Sequence, residues 1–277
     1  MQADWLSFFE YNASEENPEE DGVSTVIRSV LALGAHPDDE TILAGGTLAL
    51  LSSQGTVVHL RSATRGEGGE VGDPPLCARP DVGRLREHEL REAGRALGAA
   101  SVGVLGYVDP LAGEDDVLYP FEADFDELAG RVLAAISETR ADVVLTHGRD
   151  GEYGHPAHRL LHRAVQAAVE ALGTPVLMYS WAARVPRIAD HLWNESDPAH
   201  LALDVRPWLD AKAQAALAHR SQNQLFLRRH PGKTLREALR TVEAFHRHFP
   251  RCENGSPHDA FADLLRAAGA WEPAPRG

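Results

Sequence analysis

Short apolar runs alternate with amphipathic stretches through the first two thirds of the chain. Residues 26–35 (VIRSVLALGA) form a Val- and Leu-rich run closed by a Pro-containing turn, the pattern of a strand buried on both faces. Residues 38–52 carry Ile42, Leu43, Leu48 and Leu51 as the stripe of a helix, although Gly45 and Gly46 lower its intrinsic propensity. Residues 56–63 (TVVHLRSA) predict a second strand, and the Gly-rich 64–73 (TRGEGGEVGD) a loop. Residues 81–97 place Leu85, Leu90, Ala93 and Leu97 at helical spacing before Gly98, and 102–108 predict a third strand. After a loop over 109–119, a helix is predicted at 121–139, a fourth strand at 142–146, a helix at 156–172 and a fifth strand at 175–181. Such an alternation predicts an α/β fold, a mostly parallel sheet with helices on both faces. From about residue 182 the rhythm changes: Pro186, Pro198 and Pro207 separate helical stretches predicted at 208–228, 234–246 and 258–268. That pattern predicts a helical C-terminal portion ending in a loose tail at 272–277.

The 277 residues are 43% apolar, enough for one large core. A formal net charge of −14, with no basic run to offset it locally, argues against nucleic acid and against an anionic membrane surface as partners. No apolar run is long enough to cross a bilayer, and residues 1–21 lack the basic start and apolar core of a signal peptide. Cys77 and Cys252 are isolated, which is neither a disulfide framework nor a metal-binding pair, so a reducing, cytoplasmic setting is expected. The oligomeric state stays open, a homo-oligomer among the options.

In an open α/β sheet, ligands sit beyond the carboxyl ends of the strands. Those positions are rich in metal-binding side chains. His36-Pro37-Asp38-Asp39-Glu40 follows the first strand, and His147 to His158 (HGRDGEYGHPAH) follows the fourth. His36 and Asp39 are three apart across a strand-to-helix turn, and His155 and His158 three apart at a helix start with Pro156 at its first turn. A hydrolytic zinc takes three His or carboxylate ligands and leaves a position open. Amide hydrolysis also needs a base, for which Asp38 is the candidate, and donors for the oxyanion and leaving amine, for which His155 and Tyr153 fit. Taken alone, Asp38 or Asp39 is as well explained as a helix N-cap; two His/Asp clusters, each after a buried strand, favour a metal site.

His36-Pro37-Asp38-Asp39-Glu40 together with Gly154-His155-Pro156-Ala157-His158 closely resembles the signature of the LmbE-like deacetylases, also called the PIG-L family. The resemblance spans about residues 26–181, with a weaker echo at 212–222 (KAQAALAHRSQ). It implies a Rossmann-like sheet, one zinc ion or another divalent transition metal, and removal of acetyl from an N-acetylglucosamine-type amino sugar. By position, His36, Asp39 and His158 become the metal ligands and Asp38 the general base, with His155 as acid or electrophile and Tyr153 on the oxyanion. Glu67, Glu70, Arg86 and Asp109 are similar to positions that hold the sugar. The implied organisation is an N-terminal arm (1–25), a Rossmann-like metal-binding core (26–181) and a C-terminal portion (182–277) that completes the substrate site. Relatives often carry Asp where this chain has Ala157, leaving Asp150 or Asp142 to tune His155. The rival readings are an amidase acting on a larger acyl group or conjugate, and a non-catalytic sugar-binding module. A dinucleotide dehydrogenase is disfavoured, since His-Pro-Asp-Asp stands where spaced glycines would be needed.

Overall fold

A computed structural model describes residues 26–186, 188, 192–252 and 255–273. The arm expected at 1–25 lies outside the described residues, as do the last four of the chain. In chain order the elements are β1 (Ser29–Gly34), α1 (Asp39–Ser53), β2 (Val57–Thr64), α2 (Val82–Ala96), β3 (Ser101–Tyr107), α3 (Phe125–Thr139), β4 (Val143–Thr146), the single turn α4 (Gly151–Gly154) and α5 (Pro156–Ala171). They continue with β5 (Leu177–Ser180), β6 (Ala183–Arg184), β7 (Asn194–Pro198), β8 (Leu201–Asp204), α6 (Leu209–Ala218), α7 (Asn223–Arg228), α8 (Leu235–Ala238), β9 (Val242–Phe249) and α9 (Ala260–Ala267).

Seven strands form one sheet in the order β3-β2-β1-β4-β5-β9-β8. The first five are parallel, as the alternation predicts, with Leu31 opposite Val144 at the centre. Strand order reverses between β1 and β4, so the loops after these two strands open into the same crevice. That crevice is where both His/Asp motifs lie. Two hydrophobic layers cover the sheet: α1, α2 and α6 pack on one face with Leu48, Leu51 and Leu60, and α3 and α5 on the other with Leu31, Val132 and Leu161.

The C-terminal portion departs from the helical expectation. Residues 208–228 divide into α6 and α7, and of 234–246 only the turn α8 is helical before the chain enters β9. β9 pairs antiparallel with β5 on one side and with β8 on the other. Leu235, Leu239 and Val242 mimic a helical stripe, but Leu239 is extended (φ −67°, ψ 143°), and the open edge of β5 captures the following residues. Glu243 then locks the strand: its carboxylate accepts from the amides of Gly46 (2.9 Å) and Thr47 (2.7 Å) and pairs with Lys212 Nζ at 2.7 Å, all buried. Gly46, unfavourable by propensity, is required here because a β-carbon would collide with Val205. The described residues contain no helix long and apolar enough to cross a membrane.

Candidate metal centre and active site

The turn after β1 is drawn tight around His36 and Asp39. Asp39 Oδ2 accepts from the His36 amide at 2.8 Å, so the carboxylate folds back toward the strand end. Asp38 occupies φ 120°, a sparsely populated conformation for a residue with a side chain, and makes no side-chain cap on α1. The N-cap explanation of Asp38 therefore fails. Its carboxylate lines the cavity instead.

His158 enters from α5, whose first turn is set by Pro156 and by His155, whose Nδ1 accepts from the Ala157 amide at 3.2 Å. Outer carboxylates fix the tautomers of both inner histidines, since a carboxylate can only accept. His36 Nε2 donates to Asp109 Oδ1 at 3.1 Å, and His158 Nδ1 donates to Glu152 Oε2 at 2.6 Å. His36 Nδ1 and His158 Nε2, the nitrogens turned away from these carboxylates, face each other at 3.3 Å. Asp39 completes the triangle, with Oδ2 3.5 Å from His36 Nδ1 and Oδ1 3.5 Å from His158 Nε2. The donors converge on one buried point that needs positive charge, supplied either by a proton on His36 or by a metal ion that replaces it. Tetrahedral bonds of about 2.0–2.1 Å put ligand atoms about 3.3 Å apart, so the spacing fits zinc, as does the mixed N/O donor set. His36, His155 and His158, and Asp39, His147 and His158, form overlapping clusters of the same kind.

Charge is distributed accordingly. Burial opposes a charge on His36, but Asp109 and Asp39 outweigh it and lift its pKa to about 10, a proton that a metal ion must displace. Burial likewise works against the Asp39 anion, yet His158 and His147 hold its carboxyl well below the usual range. Asp38 is pushed up to about 6 by burial, against the pull of Arg86. For His155, burial and the neighbouring His158 and His36 drive the imidazole well below its ordinary value, so it stands neutral.

The remaining expected residues fall in two groups. Tyr153 sits at the rim, 46% exposed, its ring edge-on to His155 and His158 at 5.7 Å and 5.8 Å from the Arg229 guanidinium. Arg86 is buried beneath Asp38: Nη2 donates to Pro37 O at 2.7 Å and lies 3.3 Å from Asp38 Oδ2, while Nη1 donates to Gly66 O at 2.8 Å. Gly66 (φ 68°) is needed there because a side chain would strike that guanidinium. Glu67 accepts from the Asp109 amide at 3.0 Å, and Glu70 pairs with Arg228. None of these last contacts faces the cavity directly. The substitutes considered for the absent Asp at 157 are both engaged elsewhere: Asp150 accepts from the Ser196 amide and Asp142 from the Arg28 and Ser29 amides. His155 has neither beside it.

Sequence reasoning left three residues without a role. Glu152, fully buried, accepts from His158 and from His147 Nδ1 (3.0 Å), and its φ of 59° turns it inward where a regular helix would not. His147 Nε2 lies 3.2 Å from Asp39 Oδ2; although burial opposes it, Glu152 and Asp39 raise its pKa to about 9. His219, from the segment 212–222, reaches Thr41 at 3.2 Å and Glu40 at 3.4 Å behind Asp38. The cavity in front of this cluster is walled by Ile42, Leu192, Gln222, Phe226 and Arg229 as well as Asp38, Tyr153 and His158.

The PIG-L family, described as GlcNAc-PI de-N-acetylase, matches residues 31–169, a span holding both motifs. The chain is 35% identical over 238 residues, 70% of its own length and 82% of the relative's, to the 1D-myo-inositol 2-acetamido-2-deoxy-alpha-D-glucopyranoside deacetylase of Rhodococcus opacus (strain B4). Its fold is similar to that of the N,N'-diacetylchitobiose deacetylase of Pyrococcus horikoshii (TM-score 0.54, 18% identity, 80% of this chain and 84% of that one). It is equally similar to the 4-carboxy-2-hydroxymuconate hydratase GalB of Pseudomonas putida (TM-score 0.56, 22% identity, 82% and 99%), so the fold alone does not choose the reaction. With both signature motifs in place and more than two thirds of the chain aligned to a close relative, this chain belongs to the PIG-L, or LmbE-like, family.

Proposed function

We propose that the chain is a zinc-dependent N-deacetylase that hydrolyses the acetamide of an N-acetylglucosamine-type amino sugar or glycoside to acetate and the free amine. One observation carries the reading: the facing nitrogens of His36 and His158 and the Asp39 carboxylate stand 3.3–3.5 Å apart with Asp38 beside them, in a chain 35% identical to a deacetylase of such a sugar.

His36, Asp39 and His158 would hold the ion. Bound there, zinc supplies an electrophile for the amide carbonyl and lowers the pKa of water. Asp38 takes the proton of the attacking water, and its raised pKa of about 6 keeps it ionised at neutral pH yet basic enough to hold that proton. The water oxygen bonds to the carbonyl carbon, and the Tyr153 hydroxyl donates to the oxygen that becomes negative. The carbon–nitrogen bond then breaks as the proton held on Asp38 passes to the amine, while the neutral His155 offers its Nε2–H as a hydrogen bond because Nδ1 accepts from Ala157. His155, held neutral, acts as a hydrogen-bond donor more readily than as a full acid. Glu67, Glu70, Arg86 and Asp109 shape the sugar side: Arg86 steadies Asp38, Asp109 orients His36, and Glu67 and Glu70 pin the Gly-rich loop.

The cavity draws on both sides of residue 181, which supports a metal-binding core (26–181) whose substrate site is completed by the C-terminal portion (182–277). Free Cys77 and Cys252 support a reducing compartment, the cytoplasm. An Asp38→Asn variant tests the reading: it should keep its metal and lose about 10²–10⁴-fold in turnover, and full activity in that variant would refute it.

A further inference from the structure

Away from the catalytic crevice, where β9 joins β5, a second group of imidazoles gathers around a carboxylate. His246 and His248 alternate along β9 and so share one face of the strand, their ring centroids 4.7 Å apart. Asp197 from β7 is buried beneath them, its Oδ2 3.3 Å from His248 Nε2. Ligand atoms of Asp197, His246 and His248 all lie within 4.8 Å of one another.

The hydrogen bonds around the group leave the Nε2 atoms of His246 and His162 free, whereas His248 Nε2 is shared between Ser180 Oγ at 2.9 Å and Asp197 Oδ2 and must give up the Ser180 contact to bind an ion. His246 Nδ1 donates to the Pro198 carbonyl at 2.7 Å, so its Nε2 is bare. His162 Nδ1 donates to the His147 carbonyl at 2.9 Å, and its Nε2 is bare, buried and without a hydrogen-bond partner among the described residues. The His162 ring stands edge-on to His248 at 4.7 Å. A histidine whose far nitrogen donates to a backbone carbonyl is oriented as metal-ligating histidines usually are. Burying an imidazole nitrogen with nothing to bond is costly.

We propose that Asp197, His246 and His248 form a second metal site, with His162 as a further nitrogen at its inner edge. Imidazole-rich donors with one carboxylate suit zinc, nickel or copper better than magnesium or calcium. Arg149 donates to both carboxylate oxygens of Asp197, from Nε to Oδ1 at 2.6 Å and from its amide to Oδ2 at 2.9 Å, so the ion shares Oδ2 and the site is weaker than the catalytic one. Ligand atoms spread over as much as 4.8 Å must close toward about 3.3 Å when an ion binds. Because His162 bonds the backbone of His147, and His147 abuts Asp39, the second site is connected to the first through one residue.

The test counts metal. Protein loaded with zinc(II), desalted and measured by atomic emission should retain two ions per chain. His246→Ala should retain one, and His36→Ala combined with His158→Ala should also retain one, held at the β9 site. If the alanine variant at 246 melts early, His246→Asn carries the same count. Cobalt(II) titration, followed by its visible absorption, should resolve two sites in the wild-type chain and one in either variant. A wild-type chain that retains a single ion, or a His246 variant that still retains two, overturns the proposal.

Discussion

In the proposed mechanism the chemistry of the site is concentrated in one strained residue, Asp38. Its φ of 120° lies in a region that costs a residue with a β-carbon on the order of 1–3 kcal/mol, and the conformation turns the carboxylate away from the helix end and into the cavity. Arg86 beneath it works against burial, so the pair sets the pH at which the base is available. Asp38 accepts a proton only when ionised, and turnover therefore rises as pH climbs through its pKa near 6. Replacing Arg86 with Met removes a cation that lowers this pKa. The ascending limb of kcat/KM against pH is expected to move to higher pH; a drop in plateau with the limb unmoved would show that Arg86 serves only packing. Glu152 is placed to act through His158 and His147, so Glu152→Gln should weaken zinc affinity about 10–100-fold, measured by competition with a chromophoric chelator. At this scale the sequence was legible where a short motif brackets the chemistry: His36, Asp39 and His158 meet as the spacing suggests. It was silent on Glu152, because a positive φ inside a turn cannot be inferred from residue type, and on His219, which arrives from a distant segment.

Among elements, the parallel half of the sheet was written plainly in the alternation of apolar runs and amphipathic stretches, since β1, β4 and β5 are buried on both faces and α2, α3 and α5 on one. β9 was hidden. Its residues mimic a helical period, and their strand conformation depends on the edge of β5 and on partners for a buried carboxylate, neither of which a local pattern carries. The Lys212–Glu243 pair holds that strand to α1 and α6. Lys212→Met should cost about 3–5 kcal/mol because Glu243 stays buried without its cation, read from the midpoint of urea denaturation. Combining it with Glu243→Leu should recover much of the loss. If the single variant unfolds at the wild-type midpoint, the pair does not anchor β9.

Across the whole molecule, the reversal of strand order between β1 and β4 is the feature that makes one site from two motifs more than 100 residues apart. The shape of the cavity is set largely by the region after residue 181, where loops and short helices give sequence patterns little to work with. Its wall joins apolar Ile42, Leu192 and Phe226 to polar Gln222 and Arg229, so substrate choice belongs to the assembled chain and not to the motifs. The reaction itself is open to a direct measurement: acetate released from an N-acetylglucosaminyl glycoside by protein stripped with a chelator, before and after zinc is restored. The account expects no acetate from the stripped protein and, once zinc returns, acetate and free amine in equal amounts. Acetate release that ignores the chelator, or none with zinc restored across a panel of such glycosides, would contradict it.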